Sequence, residues 1–304
     1  MENGNQSFRL RTPGLAERLL YGQIIRRAGW DCSLGRLIAH GGMASVYELD
    51  TPDGKPRVVK VIDTRLIVPE LRQIVRQHGL EECTVMGQLS RESQYIMPLY
   101  ASTWSEVPEK LFDTQAQRER IYLLQMPRAR SLCSVAKDIL PERELIQLGM
   151  DISSALQVCY DQNRIHRDVK PENIFLRQHG GRRCYILGDF GIAREVNEKT
   201  LTGVGTENYL APELCVGWIS RNSDIYSLGV TLFALAGGRF CSGSPNNGLA
   251  RGSRVDWQDF TDRTTVSEPL RNIIHKALQD HHNRYRQPCE MYEDLWWLQK
   301  QMRQ

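Results

Sequence analysis

Apolar positions along the chain follow two different periods. Up to about Pro127 they come in short β-type runs, Leu37-Ile38-Ala39, Val46-Tyr47, Val58 to Ile62 and Ile121 to Met126, in which side chains two apart share a face. From about Pro141 the spacing becomes helical. Glu144 to Tyr160 places Leu145, Leu148, Ile152, Leu156 and Cys159 on one face. Ser223 to Leu235 is apolar almost throughout after a Ser-Asp start, the pattern of a buried, capped helix. Between these helices, Ile174 to Leu176 and Cys184 to Leu187 flank a polar turn and read as a strand pair.

Four further stretches complete the pattern. LAERLLYGQIIRR, from Leu15, is amphipathic with an apolar stripe of Leu15, Leu19, Leu20 and Ile24, interrupted at Gly22, and is expected to pack on its own domain. Leu80 to Leu89 reads as a helix. Residues 101–120 are polar and read as an extended loop between strands, and the closing YEDLWWLQKQM reads as a helix whose Trp296 and Trp297 pack onto the domain.

Composition narrows the class. At 304 residues with 41% hydrophobic content, the chain can bury sizeable cores in one large or two small domains. The net charge of +3 is local, because residues 1–36 hold six arginines against Glu2, Glu17 and Asp31 while the remainder balances. Such balance leaves no nucleic-acid footprint. No apolar stretch approaches the roughly 20 residues of a membrane span, and the polar start MENGNQSFRLR lacks a signal-peptide core. The eight cysteines stand singly, without CxxC spacing, which fits a reducing compartment and gives no zinc or redox motif. His40, His275, His281 and His282 likewise lack ligand spacing. A soluble, cytoplasmic protein is expected.

Chemistry is densest at Ile165 to Asn173, IHRDVKPEN, where a carboxylate, a lysine and an amide follow an apolar helix. Such a loop can take a proton, steady a phosphate and hold a metal. A second carboxylate comes at Asp189 in LGDFG, flanked by Gly188 and Gly191 and returned beside Asn173 by the strand pair. HRDVKPEN and DFG together resemble the catalytic loop and metal motif of the eukaryotic-type (Hanks-type) Ser/Thr protein kinases, with bacterial members of that family the nearest. The resemblance runs from about Gly35 to Leu298. It implies an α+β, two-lobed protein kinase fold with an N-terminal extension at 1–34, a small β-rich lobe at 35–127 and a larger helical lobe at 128–304. It also implies ATP with Mg2+ (or Mn2+) as cofactors and a protein substrate as acceptor.

Phosphoryl transfer depends mainly on positioning and charge neutralisation, and the resemblance distributes those tasks. Asp168 would be the base, Lys170 would sit against the transferring phosphate, and Asn173 and Asp189 would hold metal. Leu37 to Glu48 would be the glycine-rich loop, with Ile38, Gly41, Gly42 and Val46 over the nucleotide. Ala39 and Ala44 replace two of the family's glycines, so nucleotide handling is expected to be weaker or slower. Lys60, in RVVKVI beside Val58, would grip the α and β phosphates and pair with Glu82 in preference to Glu81. Backbone groups of Met126 and Arg128 would meet the adenine edge and Gln125 would limit the pocket's depth, while Pro127 lacks a donor.

Gly205 to Glu213 matches the family's GTxxYxAPE and makes Asp189 to Glu213 an activation segment. Thr206, near Asp168 and Lys170, points to Ser/Thr acceptors. Thr200 and Thr202 are candidate autophosphorylation sites, and a phosphate there would meet the cationic Arg167 and Arg194. Asp224 would bond the catalytic-loop backbone near His166, and Arg284 would pair with Glu213. The set implies a working kinase. A pseudokinase scaffold is the alternative, favoured by the altered glycine loop; a small-molecule kinase is disfavoured by GTxxYxAPE.

Overall fold

The computed structural model describes residues 11–109, 118–135, 139–179, 181–190, 194–195, 207–239 and 255–302. They form two compact units, Met1–Gln88 with Pro98–Arg128, and Leu89–Met97 with Ala129–Gln304. The fold is α+β, with a sheet dominating the first unit and helices the second. Among the described residues, no helix is long and apolar enough to cross a membrane.

In the first unit the β-type runs pair as an antiparallel sheet. Its strands are β1 (Ser33–His40), β2 (Ser45–Asp50), β3 (Arg57–Asp63), β4 (Ala101–Pro108) and β5 (Arg118–Pro127), in the order β1-β2-β3-β5-β4. Helix α1 (Leu15–Arg27) precedes the sheet, and α2 (Arg72–Glu92) follows β3. Alternation gives the sheet two faces. One buries Tyr47, Leu49, Val59, Val61, Ile121 and Leu123 against Tyr21, Ile24 and Ile25 of α1. The other carries Val46, Lys60 and Leu124, which are partners across β2, β3 and β5. Helix α2 seats on that second face. The Tyr122 hydroxyl donates to the Arg76 carbonyl at 2.9 Å, and α2 approaches so closely at Gly79 that a Cβ there would lie 2.5 Å from the Tyr122 ring.

Two expectations need correction here. Helix α1 does pack on its own unit, but it runs unbroken through Gly22 and buries Glu17, Tyr21, Ile24 and Ile25, while Leu15 and Leu19 stay exposed. The aromatic ring wins because its hydroxyl is satisfied, donating to Asp63 Oδ2 at 2.9 Å, so Tyr21 can be buried whole. Within residues 101–120, read as an extended loop, 101–108 and 118–120 are strand, and 110–117 lie outside the described residues. Residues 101–108 form β4, an edge strand in which exposed Ser102, Trp104 and Glu106 alternate with less exposed neighbours. That alternation is in exposure without a matching alternation in hydropathy, so the sequence reads as a loop.

The second unit begins with β6 (Arg130–Ser131), α3 (Leu132–Val135) and the long α4 (Glu142–Asp161). The α4 stripe of Leu145, Leu148, Ile152, Leu156 and Cys159 is buried as its spacing demands. β7 (Arg164–Ile165), β8 (Ile174–His179), β9 (Arg182–Leu187) and β10 (Arg194–Glu195) make two small sheets, β6-β8-β9 and β10-β7. Then come α5 (Pro212–Cys215), α6 (Ser223–Leu235), α7 (Trp257–Arg263), α8 (Glu268–Ala277) and α9 (Pro288–Gln301). Helix α9 lies on α4, with Gln299 Nε2 donating to Gln147 Oε1 and the Cys289 amide to Gln157 Oε1. It buries Met291, Leu295 and Leu298, a stripe from which Trp297 is offset, so Trp297 is exposed and only its neighbour Trp296 is half-buried.

The α1 seat contains a titratable contact. Hydrogen bonding to Arg11 holds the Glu17 carboxyl at about 2, against an ordinary 4.5, and the same carboxylate accepts the Gly14 amide at 2.9 Å. A depressed folded-state value means the stabilisation is present above pH 4.5 and is lost as pH falls toward 2. The melting-temperature gap between the native chain and Glu17→Gln should therefore shrink over that interval in a pH series. A gap constant with pH would refute it.

Candidate active site

The first unit holds a buried ion pair. β3 alternation points Lys60 to the face where α2 seats, and its Nζ lies 2.6 Å from Glu82 Oε1, with Glu82 almost fully buried. Of the two candidate glutamates, it is Glu82 that meets Lys60, while Glu81 accepts from Gln77 Nε2 at 2.9 Å. Two charges this dry are tolerable only together. Val46 and Leu124 flank Lys60 across the ladder, and Val58 pairs with Met126 on the same face.

The glycine-rich stretch is the β1–β2 hairpin. Gly41 donates its amide to the Ala44 carbonyl at 3.0 Å, and Ile38 is partly exposed. Ala39 stands opposite Val46, just after a register shift in the β1–β2 ladder, and its φ is not in the left-handed region that favours glycine. Gly41 also has room, since a Cβ would meet nothing nearer than the Ala44 carbonyl at 3.9 Å.

Gln125 is a correction. It pairs with Val59, so its side chain points to the α1 side of the sheet, is buried, and donates to Cys32 Sγ at 3.8 Å. The residue beside Lys60 on β5 is Leu124, which sequence reading missed. Counting the register from Lys60 through an alternating strand would have found it. The Arg128 amide, expected at the adenine edge, donates to the Pro56 carbonyl at 3.0 Å.

In the second unit the catalytic loop is held from beneath. Asp224, in α6, accepts the amides of His166 at 2.6 Å and Arg167 at 2.8 Å. Burial pushes the Asp224 carboxyl up, and these amides oppose that rise without cancelling it. The anchored backbone lets Arg167 adopt φ +71°, and Asp189 sits at φ +62°. Left-handed values at non-glycine residues persist only where the surroundings impose them. His166 is fixed by both nitrogens: Nε2 donates to the Gly188 carbonyl at 3.0 Å and Nδ1 accepts the Asp168 amide at 3.3 Å, consistent with a neutral Nε2–H ring. The Phe190 ring stands edge-on to it at 4.7 Å.

Asp168 is the centre of a polar cluster. Its Oδ2 receives Lys170 Nζ at 2.7 Å and Asn173 Nδ2 at 2.7 Å, and the same Nδ2 donates to the Asp168 carbonyl at 2.9 Å. The nitrogen end of Asn173 is thus turned to Asp168 and its oxygen end away. The Gly188 amide donates to the Asn173 carbonyl at 2.9 Å, which brings the start of DFG beside Asn173. Glycine is required at 188, since a Cβ would lie 2.9 Å from the Phe175 ring. Phe190 is buried and Asp189 exposed. An amide oxygen and a carboxylate are hard oxygen donors of the kind magnesium takes, so Asn173 and Asp189 fit the metal that the family implies.

Glu213 and Arg284 brace the end of this region. Arg284 Nη1 donates to Glu213 Oε1 at 2.8 Å and Nη2 to Oε2 at 3.3 Å, with Ser223 Oγ also on Oε1 at 2.8 Å. Burial works against the Glu213 carboxylate, but the Arg284 bonds and charge hold it below the usual range. Arg167 is buried. Thr200, Thr202, Thr206 and the Arg194 side chain lie outside the described residues.

The first unit thus holds a strand lysine paired to a helix glutamate, and the second, by itself, holds an Asp-Lys-Asn cluster. The protein kinase domain model matches residues 32–297, and the chain belongs to that family. It is 27% identical over 270 residues to CBL-interacting protein kinase 19 of Oryza sativa subsp. japonica, covering 86% of this chain and 50% of the relative. To the probable serine/threonine-protein kinase PknB of Bifidobacterium longum it is 30% identical over 222 residues, 70% of this chain and 31% of the relative. To CBL-interacting serine/threonine-protein kinase 9 of Arabidopsis thaliana it is 27% identical over 271 residues, 86% and 57% respectively. The chain thus spans from about a third to just over half of these relatives' lengths.

Two outcomes test this geometry. Leu124→Ala should change ATP affinity while Gln125→Ala leaves it unaltered, as titration calorimetry would show; the reverse order would contradict the strand register. Arg284→Met strands a buried carboxylate, and chemical denaturation should register a loss of about 3–5 kcal/mol.

Proposed function

We propose that this chain is an active protein serine/threonine kinase, transferring the γ-phosphate of MgATP to Ser or Thr hydroxyls of a protein substrate. The observation that supports this most is the Asp168 carboxylate fixed at 2.7 Å by both Lys170 and Asn173. A carboxylate so placed can orient a hydroxyl and take its proton. The hydroxyl oxygen then bonds to phosphorus, the bond to the ADP oxygen breaks, and the proton goes to Asp168. Lys170 steadies the transferring phosphate, and Lys60, kept in place by Glu82, grips the α and β phosphates. Asn173 and Asp189 would hold magnesium, or manganese, which neutralises phosphate charge when bound. Two of the relatives are named serine/threonine-protein kinases, which supports this acceptor class. Autophosphorylation at Thr200 or Thr202 completes the proposal.

A second reading, a nucleotide-binding pseudokinase scaffold, is favoured by Ala39 and Ala44 and by the Arg128 amide spent on Pro56. One experiment separates the two. The purified chain and Asp168→Asn are incubated with MgATP and a generic basic protein substrate, and phosphosites are mapped by mass spectrometry. The kinase reading expects Ser/Thr phosphate from the native chain, reduced about 10²–10⁴-fold in the variant, with added phosphate on Thr200 or Thr202. If both proteins bind ATP and neither transfers phosphate, the scaffold reading replaces it.

A further inference from the structure

The β4–β5 pairing runs on past the last β3 partner, Ile121, to Arg118, and this overhang carries a buried carboxylate that the proposed chemistry does not use. Glu119 is 2% exposed. Its Oε2 accepts Thr64 Oγ1 at 2.6 Å and Arg76 Nη2 at 2.8 Å, while Oε1 lies 3.5 Å from Arg72 Nη1. Arg72 is also held at 2.6 Å by Glu109, just past β4, and donates to the Ile67 carbonyl at 3.1 Å. Thr64 directly follows β3, the strand of Lys60, and Arg72 and Arg76 open α2, the helix of Glu82.

We infer that Glu119 is a positioning residue for the Lys60–Glu82 pair, an anchor contributed by this hairpin that fixes α2 relative to β3. Arg72 and Arg76 are like charges four apart at the positive end of a helix, an arrangement that repels itself and opposes the macrodipole. No acidic residue stands in the first turn of α2 to offset them, so the compensation comes from Glu119 and Glu109 on the hairpin. One carboxylate therefore joins the elements that carry both members of the ion pair. Glu82 lies six residues beyond Arg76, roughly 9 Å along the helix axis, with the tight Gly79–Tyr122 contact between them. When the anchor is removed, α2 is repelled at its first turns and pivots about that contact, which draws Glu82 away from Lys60. The catalytic consequence rests on the kinase reading; the mechanical one does not.

The test has two independent arms. In hydrogen exchange, Glu119→Gln should speed amide exchange at residues 79–86 about tenfold or more, with strand β2 unchanged. In phosphotransfer, Glu119→Gln should lower turnover by about 10- to 10²-fold, the scale of a small misplacement. The double variant Glu82→Gln/Glu119→Gln should be no slower than Glu82→Gln alone, because the anchor acts through Glu82. Unchanged exchange at 79–86, or losses that multiply in the double variant, would overturn the inference. If Glu119→Gln does not fold, Thr64→Val and Arg76→Lys carry the same two readouts, and indifference of both variants overturns it as well. A native chain that transfers no phosphate would defeat the kinase reading while the exchange arm still decides the anchor.

Discussion

A carboxylate buried in an apolar helix is tolerable only when donors surround it, and Asp224 meets that demand with the backbone of the catalytic loop. Its two oxygens take the His166 and Arg167 amides. These bonds hold Arg167 in a left-handed conformation, and they set where the chain must place Asp168 next. Helix α6 is buried, with Asp224 its one charged residue, so the loop's geometry is dictated by an element that carries none of the reacting groups. Without the two bonds, the loop would relax toward ordinary dihedrals and the Asp168, Lys170 and Asn173 cluster would lose its shape.

The same device recurs wherever a polar group has to stay in one place. Glu213 is dry because Arg284 and Ser223 surround it, Glu82 because Lys60 meets it, and Asp63 because Tyr21 and Arg65 donate to it, Arg65 Nη2 at 2.6 Å. Each pair is weak evidence for stability, since desolvation offsets most of the attraction. What each pair fixes is register. A lone partner would be costly, so an element that slips by one residue is penalised, and packing alone gives no such discrimination.

The polar motifs were legible in the sequence because phosphoryl transfer fixes their spacing within a few consecutive positions. HRDVKPEN needs one loop, whereas Glu82 was preferred to Glu81 only through the family resemblance, and the contact with Lys60 is what the structure adds. The core stripe of α4 was equally plain, since a 20-residue helix repeats its period many times. Three features were hidden for physical reasons. The buried side of α1 is chosen by a tyrosine whose hydroxyl finds a carboxylate 42 residues away, which no local periodicity encodes. β4 is an edge strand whose exposed positions, Ser102, Trp104 and Glu106, mix polar and apolar residues, so no period-2 hydropathy marks it. Gln125 was misplaced because Ile121 to Met126 is apolar on both faces of a central strand, and there only the ladder tells inside from outside.

Helix α1 shows how far the family pattern and the physical unit can diverge. The protein kinase model begins at residue 32, yet Tyr21, Ile24 and Ile25 supply one whole side of the core that Tyr47, Val59, Val61 and Leu123 supply from the sheet. Each aromatic or aliphatic side chain buried there is worth about 1.5–3 kcal/mol, and an uncovered sheet face of that composition would be an aggregation surface. Trp30 and Cys32 pack at its margin, and Cys32 Sγ takes the Gln125 amide. Gln125 therefore turns away from Lys60 to line the α1 side, and Leu124 is left beside the lysine. The N-terminal helix thus shares the face that Gln125 lines, and the boundary of the first folding unit lies ahead of α1, not at the start of the family match.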